Sequence, residues 1–120
     1  MSDLRMSEML AMQRELWEKH KDEWSPMEPV YARNFLLYII EELGEAIAII
    51  KKRGEAVIMA DPETRGAFVE ELADVHMYFN EVLLRYGISA EEFSGAYLEK
   101  HTRNLKRDYK NERKYFLPSK

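Results

Sequence analysis

Glu41-Glu42-Leu43-Gly44-Glu45 and Glu70-Glu71-Leu72-Ala73-Asp74 repeat one pattern, an acid followed three residues later by another. On a helix such residues are surface neighbours, so Glu42 with Glu45 and Glu71 with Asp74 each form a close carboxylate pair. At about 100° per residue, Glu42 and Glu45 fall on the face of Phe35, Tyr38, Ala46 and Ile49. Glu71 falls at the edge of a stripe made by Phe68, Leu72, Val75, Phe79 and Val82. Carboxylates crowded beside apolar faces cost several kcal/mol unless protons or a cation neutralise them. A hard divalent cation with oxygen ligands solves that problem, and Mg²⁺, for which Mn²⁺ can substitute, typically acts together with substrate phosphates. The alternative is a solvated pair of helix faces, on which acids at this spacing are common.

A cationic set stands further along the chain. Phe93, Ala96 and Tyr97 begin an inward stripe, and helical spacing carries it on through Lys100, Asn104 and Arg107. Charged and amide groups thus take positions where the pattern calls for apolar ones, and they suit the anionic oxygens of a polyphosphate. A helix that simply runs past the bundle into solvent would give the same pattern. Trp24 and Trp17 could stack on a base, or serve as core or interface residues. His20, His76 and His101 are scattered without a Glu-x-x-His pair, so the di-iron bundle signature is missing. A Walker loop and a Gly-rich dinucleotide fingerprint are absent as well.

The elements that must position these groups are helices. Period-2 alternation and Asn-Gly or Asp-Gly hairpin turns are not found. The first helix is expected over about 3–21, with Met6, Met9, Leu10, Leu16 and Trp17 on one side. Pro26 and Pro29 then block continuation. The second helix, about 31–53, stops at Gly54 and is apolar on two sides, as suits a central helix. Asp61-Pro62 supplies a cap and a proline at the first helical position of the third helix, about 62–86, which ends at Gly87. Ser89-Ala90-Glu91-Glu92 is a capping box opening the fourth, about 89–110. The tail NERKYFLPSK reads as frayed or docked on a partner. Residues 1–120 are thus expected to form a single all-α domain, a four-helix bundle.

Bulk properties narrow the setting. A net charge of −4 argues against a duplex nucleic-acid binder, which would carry a basic stripe. With no cysteine, disulfides and thiolate metal sites are excluded. The opening residues lack the apolar run of a signal peptide, and the aliphatic-aromatic run Phe35–Ile40 is too short to span a bilayer. A cytoplasmic protein with no membrane partner is the expectation.

Taken together, the motifs resemble the all-α nucleoside triphosphate pyrophosphohydrolases, the MazG-like superfamily. E-x-x-E on one helix and E-x-x-D on the next resembles that superfamily's metal motif, and the likeness covers about 24–109. Ala32-Arg33-Asn34-Phe35-Leu36-Leu37 before Glu42 is similar to the lead-in of the dCTP pyrophosphatase branch, and Trp24 sits near that branch's base-stacking Trp. Glu71-Leu72-Ala73-Asp74-Val75-His76-Met77-Tyr78 matches E-L-x-D-V-x-x-Y, whose tyrosine lies by the nucleoside. Gly87-Ile88-Ser89 followed by Lys100, Asn104 and Arg107 is similar to the MazG-like ending. Two positions depart: Lys52 stands where the branch places a second Trp, and its first-helix His falls near Glu15 or Trp17 here. The resemblance therefore implies the chemistry without the base.

What it implies is hydrolysis of a (deoxy)nucleoside triphosphate to the monophosphate and pyrophosphate, for house-cleaning or pool control. Glu42, Glu45, Glu71 and Asp74 would hold Mg²⁺, and Glu41 would orient or deprotonate the attacking water. Lys100, Asn104 and Arg107 would meet the polyphosphate, and Tyr78 and Trp24 the nucleoside. Long helices with this much apolar surface point to a homodimer or homotetramer that completes the site. The rivals are a phosphoribosyl-ATP-like or modified nucleotide as substrate, a nucleotide-sensing or helical interaction module without turnover, and a plain structural bundle.

Overall fold

A computed structural model of the chain describes residues 2–108 and 110–111. Among them the secondary structure is helical throughout, without a strand: α1 (Met6–His20), α2 (Ala32–Arg53), α3 (Glu55–Ala60), α4 (Pro62–Arg85) and α5 (Ala90–Lys106), with a 3₁₀ turn, Pro29–Tyr31, leading into α2. None of these helices is long and apolar enough to cross a membrane. The chain divides into two compact units, Met1–Ser89 and Ala90–Lys120.

Local signals set most boundaries. The Asp61 carboxylate accepts from the Thr64 backbone N–H at 3.0 Å and from its hydroxyl at 2.6 Å, and Pro62 opens α4 where a missing N–H costs nothing. At the other end of α4, Ile88 N–H reaches the Leu83 carbonyl at 2.8 Å and Gly87 N–H reaches that of Leu84 at 3.0 Å. This is a Schellman closure, and Gly87 supplies the positive φ of 64° that it needs.

Three features of the helix boundaries differ from expectation. The first helix begins at Met6 rather than near Asp3, because the Glu8 carboxylate accepts the Arg5 backbone N–H at 2.7 Å and fixes the start there. The link between the second and third predicted helices is itself helical: α3 starts directly after Gly54, whose φ of 82° turns the chain out of α2. The last helix closes at Lys106, short of 110. Residues 112–120, most of the tail expected to fray or dock, lie outside the described residues.

Within the first unit α2 and α4 form the principal helix pair, with α1 and α3 packed on α4. The core between α2 and α4 is Ala32, Phe35 and Val82, with Tyr78 against them, and Leu10, Ala46, Ile58 and Leu83 are buried elsewhere along the helices. Five polar or charged residues are buried with them: Gln13, Thr64, Asn80, Glu81 and Arg85. Conversely Leu36, Ile40, Leu43 and Ile47, at helical spacing along α2, are exposed. The helix thus has a second apolar side, which the described residues leave exposed rather than packed against a partner helix.

Candidate functional site

Pairing α2 with α4 brings the two acidic motifs face to face. Glu42, Glu71 and Asp74 each offer a carboxylate oxygen, and those three oxygens lie within 4.8 Å of one another. All three residues are half-buried. Glu71 Oε2 is buried without a hydrogen-bond partner. Glu42 is pushed up from the ordinary carboxyl range to about 7, first by a carboxyl-to-carboxyl hydrogen bond with Glu71. Burial comes next, followed by the negative charges of Glu71, Asp74 and Glu45. A proton shared between carboxylates is what such a cluster holds when nothing else neutralises it.

Glu45 and Glu41 lie outside the close trio, and both are exposed. Their charges still bear on the cluster. Glu45 raises Glu42, and Glu41 contributes to raising Tyr78.

Tyr78 follows Asp74 by one turn of α4 and lies against Phe35 and Tyr38, with ring centroids 5.9 and 5.6 Å away. Its hydroxyl is raised by burial first and then by the charges of Glu42 and Asp74. Trp24, in the bend after α1, stacks on His20 with centroids 4.9 Å apart and planes at 23°. Asp74, Tyr78, Tyr38 and Trp24 line one cavity of about 470 Å³, walled by α1, the 24–25 bend, α2 and α4. The structure therefore brings both nucleoside candidates, Tyr78 and Trp24, to the cavity that Asp74 of the acidic trio also lines. Lys52 sits elsewhere, in a hollow at the end of α2 with Arg53, Asp61 and Thr64, and the ring stacked on Trp24 is that of His20.

The cationic candidates belong to the second unit. Phe93, Ala96, Tyr97, Lys100 and Asn104 surround one shallow hollow along α5, but none of them is buried and Tyr97 is 72% exposed, so within this unit the stripe does not face inward as expected. Lys100 is exposed and Asn104 half-buried. Arg107 lies just beyond the end of α5 rather than on it, and its guanidinium donates to Asn104 Oδ1 at 3.4 Å.

Several cavity residues were missed from the sequence. Tyr38 carried a usable signal, because it precedes Glu42 by four residues and shares its face. Gln13 and Glu81 carried none: they look like surface residues of amphipathic helices and meet only through the fold, at 2.7 Å. Comparison of the chain with protein-family models, with curated proteins and with solved structures finds no match to any of them.

Proposed function

We propose that this chain is a Mg²⁺-dependent nucleotide pyrophosphohydrolase of the MazG-like kind, acting in the cytoplasm on a (deoxy)nucleoside triphosphate. The observation that carries the reading is the trio Glu42, Glu71 and Asp74, its oxygens within 4.8 Å, with Glu71 Oε2 buried and unpartnered. An oxygen-only donor set with surplus negative charge fits Mg²⁺, or Mn²⁺ in its place, and fits softer metals poorly. Glu42, Glu71 and Asp74 would hold the ion, with Glu45 one turn along α2 as a fourth carboxylate. When bound, Mg²⁺ supplies neutralisation of the phosphates and polarisation of a water molecule.

The chain's own groups do the remaining work. Glu41 orients the attacking water and accepts its proton. Water adds across the α–β phosphoanhydride, the bridging bond breaks, and monophosphate and pyrophosphate leave with one proton released. Tyr78 and Trp24 bear on the nucleoside in the cavity that Asp74 also lines, where aromatic faces suit a base.

In the same reading the fold is a MazG-like four-helix bundle completed by homo-oligomerisation, as a dimer or a tetramer. The support is the exposed stripe Leu36, Ile40, Leu43 and Ile47, a surface that a second copy would cover. The test is substitution of the acids: Glu42→Gln and Asp74→Asn should each remove Mg²⁺-dependent pyrophosphate release while the helical fold and its melting transition persist. Undiminished release from both variants would overturn the assignment of the trio.

A further inference from the structure

The cavity that Asp74 lines is also lined by a polar group of residues built quite differently from the acidic trio. Gln13 and Glu81 both line it, yet they are only 7% and 1% exposed, and Arg85 behind them is 2% exposed. Glu81 Oε1 accepts from Gln13 Nε2 at 2.7 Å, and Glu81 Oε2 pairs with Arg85 Nη1. Arg85 Nη2 in turn donates to the Ser25 carbonyl at 3.0 Å and to its hydroxyl at 3.1 Å. The guanidinium also lies over the Phe35 ring, 4.2 Å from its centroid. Both oxygens of Glu81 are thus engaged, and the carboxylate has one orientation.

That orientation decides how Gln13 is presented. A carboxylate only accepts, so the amide must turn its NH₂ toward Glu81. The remaining capacity of Gln13 is a carbonyl acceptor beside a second N–H donor, on a residue that lines the cavity. Asp74 and Glu81 are seven positions apart, about 10 Å along the axis of α4, with Tyr78 between them. The spacing suits a mononucleotide lying between a metal-held phosphate and a read base edge. Burying an ion pair and an amide is not the economical way to fill a helix contact, since apolar residues serve stability as well or better.

Resting on the functional reading above, we propose that Gln13 reads the nucleobase of the bound nucleotide. It recognises a base edge that places one hydrogen-bond donor beside one acceptor. Glu81 and Arg85 are positioning residues, holding the Gln13 carboxamide in the orientation that does the reading.

The test compares kcat/KM for the best nucleotide of a (d)NTP panel with that for its analogue methylated at the donor nitrogen of the base edge. The native protein should discriminate against the analogue by about tenfold or more, since a blocked edge strands the buried amide. This arm needs no substitution, so folding does not enter it. Gln13→Leu should bring the ratio toward one, and Glu81→Gln, which frees the amide to turn, should lower it in the same direction. A loss of stability in these variants without any change in the ratio would be the mark of a purely structural network and would overturn the proposal. So would native hydrolysis that ignores the methyl group. Absence of pyrophosphate from every nucleotide would instead overturn the functional reading, and this proposal with it.

Discussion

The Glu42 carboxyl on α2 and the Glu71 carboxyl on α4 bring oxygens within 4.8 Å of one another, and hydrogen bonding with Glu71 is the largest cause that pushes Glu42 up to about 7. Two acids this close favour a proton or a cation between them, so their approach ties the packing of the two main helices to the electrostatics of the cluster.

A pH dependence follows, with a definite sign. Glu42 is raised on folding, so its contribution is fully present below the unfolded carboxyl range and is lost as pH rises through about 7. In chelator, the melting temperature should fall between pH 5 and pH 8, roughly the span between the two values. Excess Mg²⁺ should raise it, and more at pH 8 than at pH 5, because protons and the ion compete for the same oxygens. Thermal melts at the two pH values, with and without Mg²⁺, check this; an equal Mg²⁺ shift at both would count against it.

The Glu81–Arg85 pair should behave as a buried ion pair rather than a surface one. Removing one partner, as in Arg85→Met, leaves an uncompensated buried carboxylate and should cost about 3–5 kcal/mol. Replacing both, Glu81→Leu with Arg85→Met, should recover much of that loss. Urea unfolding of the two single variants and the double variant measures the coupling directly.

The Asp61 cap gives a control remote from the trio. Its carboxyl is held below the usual range by the Thr64 side-chain and backbone hydrogen bonds. The contribution is therefore present above the unfolded carboxyl value and is lost as pH falls through the lower folded one. Asp61→Ala should lower the melting temperature by a few degrees at neutral pH, and by less in acid. Its rate of pyrophosphate release at a permissive temperature should stay that of the native chain.

The α2 stripe predicts an assembly. Ile40→Glu and Ile47→Glu place charges on its exposed apolar surface and should shift the mass measured by light scattering toward the monomer. A native chain already monomeric at high concentration would contradict the oligomeric part of the account.

How much of this the residues declare in advance depends on how local each signal is. Asp61-Pro62, Gly54 and Gly87 act on their own turns, and the helices begin or end beside them. The Glu55–Ala60 helix was not legible, because six residues between a glycine and a cap are too few to establish a period. The acidic motifs were visible as pairs along each helix. Which acids close on one another depends on the rotation of α2 against α4, and that rotation selects Glu42 and leaves Glu45 outside the trio. The Gln13–Glu81 contact joins residues 68 apart, and no spacing rule could have linked them.

The central claim is tested most directly by pyrophosphate release from the eight common (d)NTPs, measured with Mg²⁺ and again with chelator. The account predicts stoichiometric monophosphate and pyrophosphate from at least one nucleotide, abolished by chelator. No pyrophosphate from any of the eight, together with a melting temperature that Mg²⁺ leaves unchanged, would contradict it.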